Sequence, residues 1–131
     1  VRSRGLGDVY KRQMNVTRID AAPVYEAPNH FDMRCLRLQG HEAGPSKSLW
    51  LGLSIIEPGG YTSLNASPLE KHYVVLDGEL TLVSELDGVT TEAVLHPQDS
   101  ACFQPGEKRQ LINRSAGPAR ILLAMPYPPT P

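Results

Sequence analysis

Six polar side chains sit among apolar, β-prone residues in a way that suggests chemistry. Asn65, Ser67, Lys71 and Tyr73 lie in the stretch "NASPLEKHYVVLDGE" from residue 65 to 79, and Arg109 and Asn113 bracket "RQLIN". Successive side chains of a strand point to opposite faces, so these odd-numbered residues share one face of their segments. Asn65 brings an amide, Ser67 and Tyr73 hydroxyls, and Arg109 a permanent cation with five donors and no lone pair. Gathered in one cavity with Val75 and Leu111, they make an apolar pocket with a cationic, hydrogen-bonding floor. Such a pocket suits a small organic anion, whose carboxylate Arg109 can hold with two parallel hydrogen bonds.

Lys71 is the most informative of the six. Burial and a neighbouring guanidinium both disfavour its charged form, so its pKa is expected to fall. A neutral amine serves as a base or forms a Schiff base, and a protonated one stabilises an enolate. Lys71 and Arg109 are therefore the candidate catalytic pair. Asn65, Ser67, Tyr73 and Asn113 are the candidate substrate-binding groups. Each also has a plainer reading: Lys71 paired with Glu70, Arg109 bracing the "QPGEK" turn, Asn65 and Ser67 bonding their own backbone, and Asn113 tying down a strand end.

The elements that must position these residues read as strands. From Met33 onward the runs "MRCLRLQ", "LWLGLSII", "HYVVL", "ELTLVSEL", "TEAVL", "ACFQ", "RQLIN" and "RILLAM" alternate with "EPGG", "LDGE", "LDGV", "HPQD", "QPGEK" and "SAGP". The runs are of strand length, and the separators are rich in Gly, Pro and Asp, whose backbone preferences make turns. No stretch carries a sustained helical stripe. The pattern predicts an all-β single domain, a sandwich or a small barrel, with closure removing exposed sheet edges. The final "PYPPTP" is expected to run extended over the surface.

Two motifs in this frame resemble the cupin superfamily, small β-barrels of jelly-roll type. The first cupin motif opens and closes on glycine, with two histidines and a glutamate between. Gly59 and Gly78 keep that spacing here, while the ligand places hold Asn65, Ser67 and Lys71. The second motif carries a histidine before a final asparagine. Gln98, Gln104, Gly106, Arg109 and Asn113 stand in its places, so Arg109 replaces the metal-binding histidine. The resemblance implies a cupin-type barrel with a jelly-roll-like double sheet, homodimers that exchange N-terminal strands, and a fold that hosts metal-independent isomerases and epimerases. It makes "NVTRIDAAPVYEAP" a candidate exchanged strand. A fold shared by many chemistries does not choose among them.

Metal is disfavoured by the residues themselves, since transition metals want imidazole, thiolate or carboxylate. Of the histidines, His30 and His41 fall in loop-like stretches and His96 in a turn. His72 lies one residue from Lys71 and so on the opposite face. A displaced site using Glu70 and His72 requires a register slipped by one residue. Cys35 and Cys102 lack any metal or redox spacing and read as reduced, packed thiols, with no histidine partner evident near Cys102.

The bulk composition sets the remaining limits. The chain has 131 residues, a formal net charge of −1 and 21% charged residues, which suits one soluble domain and disfavours nucleic acid and anionic membrane surfaces. No apolar run reaches membrane-spanning length. Residues 1–13, "VRSRGLGDVYKRQ", lack periodicity and read as a non-native or disordered appendage, with the domain spanning 14–131 and Met14 the expected natural start.

The functional expectation is a cytoplasmic, cofactor-free and metal-independent enzyme of lyase, isomerase or decarboxylase type acting on a small carboxylate or carbonyl compound. A non-catalytic module that binds or senses a small anion stays open beside it. So does a metal enzyme with an atypical site.

Overall fold

The computed structural model describes residues 14–129; the N-terminal stretch read as an appendage lies outside the described residues. Ten strands account for most of the fold: β1 (Val24–Tyr25), β2 (His30–Gln39), β3 (Leu49–Thr62), β4 (Asn65–Ala66), β5 (Lys71–Asp77), β6 (Leu80–Leu86), β7 (Val89–Leu95), β8 (Ser100–Phe103), β9 (Lys108–Ile112) and β10 (Ala119–Pro126). Among the described residues the only helical pieces are two short 3-10 turns, Ile19–Ala21 and His41–Ala43. The all-β class and the jelly-roll-like double sheet expected from the sequence are what forms, a nearly closed barrel in which every strand pair is antiparallel.

One strand, β3, joins the two sheets. Its first half lies between β2 and β10, with Leu53 opposite both Leu36 and Leu122, while Tyr61 near its end pairs with Ile112 of β9. Beyond β10 the first sheet continues through β5 to β8. Beyond β9 the second continues through β6 to β7, whose hairpin closes on Asp87 and Gly88, both at positive φ. "EPGG" was expected to be a turn ending the strand; instead β3 runs through it. The β2 register jumps from Met33–Ile56 to Phe31–Tyr61, so residues 57–60 bulge and bend the strand from one sheet to the other. Gly59 takes φ +84°, and a side chain on Gly60 would lie 2.5 Å from the Asp32 carbonyl oxygen.

The core follows from period-2 alternation. Tyr73 and Val75 of β5, Leu80 and Leu82 of β6, Leu111 of β9 and Ile121 of β10 point inward and pack on Ile56 and Phe103. Of the final "PYPPTP", Thr130 and Pro131 lie outside the described residues. Pro126 belongs to β10, and Tyr127 packs against the core while its hydroxyl accepts the His41 backbone N–H at 3.2 Å. The segment expected to exchange between subunits is seen here within one chain, where β1 pairs with β2. No helix of the described residues is long and apolar enough to cross a membrane.

Candidate active site

Between the sheets lies a cavity of about 500 Å³; β5 supplies Lys71 to its wall, β9 Arg109 and β2 Arg37, and Glu26 lies along it as well. Alternation along β5 turns Lys71 and Tyr73 inward and His72 outward, so the register is not slipped. Arg109 of β9 is paired with Asn65 of β4 on one side and Ser84 of β6 on the other. This places Asn65, Lys71, Tyr73 and Arg109 on the cavity wall together with Leu111. Residues 25–30 run along its rim, where Glu26, Pro28 and Asn29 are exposed.

Of the three cations on its wall, Arg37 is paired with Glu42, while Lys71 and Arg109 lack a counter-charge among the described residues. Lys71 is only 9% exposed, and no carboxylate of the described residues pairs with it or with Arg109. Glu70, the partner the sequence offered Lys71, bonds His72 at 2.6 Å on the outer face. The "QPGEK" turn is held by Glu107, which accepts the Gln104 N–H at 2.9 Å and the Ser84 hydroxyl, not by Arg109. The buried Arg109 Nε has no hydrogen-bond partner. A buried guanidinium donor left unmade is costly, and an oxygen of a bound anion is the natural group to complete it.

The electrostatics agree in sign. Burial first, and the Arg109 guanidinium second, lower the Lys71 amine to about 8. Burial also lowers His30, against the pull of the Pro28 carbonyl, and Arg109 and Lys71 push the same way. The Tyr73 phenol is pushed up by burial. His30 was expected in a loop; it begins β2 and lines the cavity, its Nδ1 2.6 Å from the Pro28 carbonyl oxygen.

Two of the six candidates stand elsewhere. Ser67 does not line the cavity: its hydroxyl accepts the Leu69 N–H at 3.1 Å, a local turn bond. Asn113, fully buried, also lies off the cavity wall. Its amide donates to the Ile56 carbonyl at 2.8 Å and the Gly117 carbonyl at 2.9 Å, fixing the corner where β3 changes sheets. Conversely, the sequence reading missed Arg37, Tyr25 and Trp50. Arg37 stacks 3.6 Å over Tyr25 and 4.4 Å from the Trp50 ring centre, and bonds Glu42 at 2.8 Å. An arginine on the inward face of "MRCLRLQ" was the signal available for it.

Metal does not fit the cavity. At the four family ligand positions stand a neutral amide, a hydroxyl committed to its own turn, and two cationic side chains, one of them with a buried N–H left unpartnered and no lone pair to offer a metal. The cysteines divide. Cys35 is buried, 3.8 Å from the Ser54 hydroxyl, and burial raises its thiol. Cys102 corrects the expectation of a packed thiol: alternation along β8 leaves it exposed, with His72 Nε2 at 3.9 Å. Slight desolvation, then Glu70 and Glu107, raise its thiol.

Residues 52–125 match the Cupin domain family. The chain belongs to the cupins. The β-D-galactosidase Rv1717 of Mycobacterium tuberculosis (strain H37Rv) is 41% identical over 115 residues, covering 88% of this cupin and 96% of that protein. Among solved structures, a cupin-superfamily sugar phosphate isomerase from Silicibacter pomeroyi is 26% identical, with a TM-score of 0.69 over 86% of this chain and 75% of its own. The polyketide cyclase RemF from Streptomyces resistomycificus superposes at a TM-score of 0.75 over 91% of this chain and 83% of its own; at 20% identity it speaks for the fold alone.

Proposed function

We propose that this cupin is a metal-independent enzyme, of lyase or isomerase type, acting on a sugar-like compound that carries a carboxylate or phosphate beside a carbonyl. The observation that carries the reading is the pair of cations on the cavity wall, buried Lys71 and half-buried Arg109, without a counter-ion among the described residues and with the buried Arg109 Nε unbonded. Arg109 anchors the anion, and Asn65 takes a hydroxyl or carbonyl oxygen. Lys71 in its neutral form removes the proton next to the carbonyl; its ammonium then holds the enolate by charge. Return of that proton to a neighbouring carbon completes an isomerisation, and loss of a β-hydroxyl as water completes an elimination. The sugar class draws support from the names of the galactosidase and sugar phosphate isomerase relatives.

The test is turnover of D-galacturonate and galactose phosphates by the wild type, Lys71→Met and Arg109→Met. The reading requires that Lys71→Met lower kcat by about 10²-fold or more, that Arg109→Met act mainly through KM, and that both keep the wild-type circular dichroism. Unchanged turnover in both variants refutes it.

A second reading, hydrolysis of a β-D-galactoside, is favoured by the 41% identity to the mycobacterial protein. Glycoside hydrolysis ordinarily uses two carboxylates across the scissile bond. Among the described residues the cavity wall offers one carboxylate, Glu26, exposed at the rim. Release of nitrophenol from a nitrophenyl β-D-galactoside that falls in Glu26→Gln and survives Lys71→Met selects this reading over the first.

A further inference from the structure

A second cluster, on the outer face of the barrel, is unrelated to the cavity. His72 of β5 and Cys102 of β8 are directly opposed across the strand pair, and Glu70 precedes His72 by two residues on the same face. The neighbouring pair, Lys71 opposite Phe103, turns inward, so the wall of the barrel separates this cluster from the active-site groups.

We propose that Glu70, His72 and Cys102 form a mononuclear zinc site open to solvent. One ligand atom from each lies within 4.8 Å of the others. Bond lengths of about 2.0–2.3 Å to oxygen, nitrogen and sulfur in a tetrahedral site set ligand atoms roughly 3.3–3.7 Å apart. Cys102 Sγ and His72 Nε2, at 3.9 Å, are nearly there already. Glu70 Oε1 and His72 Nε2, at 2.6 Å, share a hydrogen bond in place of the metal and must part by somewhat under 1 Å. Both side chains can do so, being 45% and 52% exposed.

Thiolate, imidazole and carboxylate together select zinc over the hard cations calcium and magnesium. Binding releases the Cys102 proton, and the hydrogen bond between His72 Nε2 and Glu70 Oε1 gives way to the metal. Three protein ligands leave the fourth position to water, the arrangement of zinc sites that exchange ligands. A zinc role also accounts for an exposed cysteine facing an imidazole, an otherwise unfavourable surface feature.

The test titrates the purified full chain with zinc by calorimetry and with cobalt(II) as a coloured probe, comparing wild type, Cys102→Ser, His72→Gln, Glu70→Gln, Cys35→Ser and Lys71→Met. The expected result is one metal per chain, a thiolate-to-cobalt charge-transfer band, and loss of that band in Cys102→Ser. Zinc affinity should drop about tenfold or more in the three ligand variants and stay unchanged in Cys35→Ser and Lys71→Met. All variants are checked for native circular dichroism; the three ligand variants change only outward-facing side chains. No saturable binding at micromolar zinc, a cobalt spectrum without the thiolate band, or equal affinity in Cys102→Ser overturns the proposal.

Discussion

Lys71 ties the chemistry of the cavity to the stability of the fold. Its amine titrates near 8 in the folded chain against an ordinary 10.5, so between those values the unfolded chain binds more protons and stability rises with pH. Below that window both states are protonated, and the buried charge is a standing cost, on the order of 1–2 kcal/mol once solvent screening is allowed for. Lys71→Met should therefore unfold at higher denaturant than wild type at pH 7, with the advantage shrinking by pH 10. With the neutral amine as base, kcat/KM of the wild type should climb with pH toward a plateau above about 8. A flat profile across that range would count against Lys71 as the base. Asn113→Ala strands the buried Ile56 carbonyl and should cost about 2–3 kcal/mol in denaturant unfolding. Because Asn113 lies off the cavity wall, its loss should leave anion affinity unchanged. At this scale the inward set Lys71, Tyr73 and Arg109 was legible from alternation alone. Ser67 and Asn113 were not separable from it, since alternation says which face a residue is on but not whether its polar group is already satisfied by nearby backbone. Cys102 escaped for the opposite reason: its histidine neighbour comes from a strand pairing thirty residues apart in sequence.

Among the elements, β3 decides where the site sits. It carries Trp50 and Ser54 to the cavity from one sheet and Thr62 from the other, and Thr62 accepts the Leu111 N–H at 3.0 Å. The bend at Gly59 and Gly60 makes this possible, and Gly60→Ala, which presses a methyl against the Asp32 carbonyl, should lower stability by about 2 kcal/mol or more. Gly78 is similarly placed between β5 and β6, at φ +78° with the Pro118 carbonyl 2.5 Å from where a Cβ would be. Strand content and order were readable because each apolar run is bounded by turn residues. The continuity of β3 through "EPGG" was not: the same Gly-rich letters specify a turn or a bulge, and the choice is made by Asn113, whose backbone bonds both glycines from the far end of the chain. β1 was legible only as a β-prone stretch, because two residues hold too little pattern to announce a strand.

For the molecule as a whole, the barrel separates two chemistries, a cationic cavity within and a Glu–His–Cys cluster without. Occupancy of the cavity should be visible as stability: an anion at 100 times its dissociation constant adds about 2.7 kcal/mol. The cupin likeness further leads us to expect a homodimer, so light scattering after size exclusion should give twice the chain mass, and a strict monomer would refute strand exchange. The most direct test of the account is a calorimetric titration of wild type and Arg109→Met with D-galacturonate at pH 7. Saturable binding by the wild type, weakened about tenfold or more in Arg109→Met, is the result predicted for an anion seated on the unpaired guanidinium. Equal affinity in the two proteins, or none in the wild type, would contradict it.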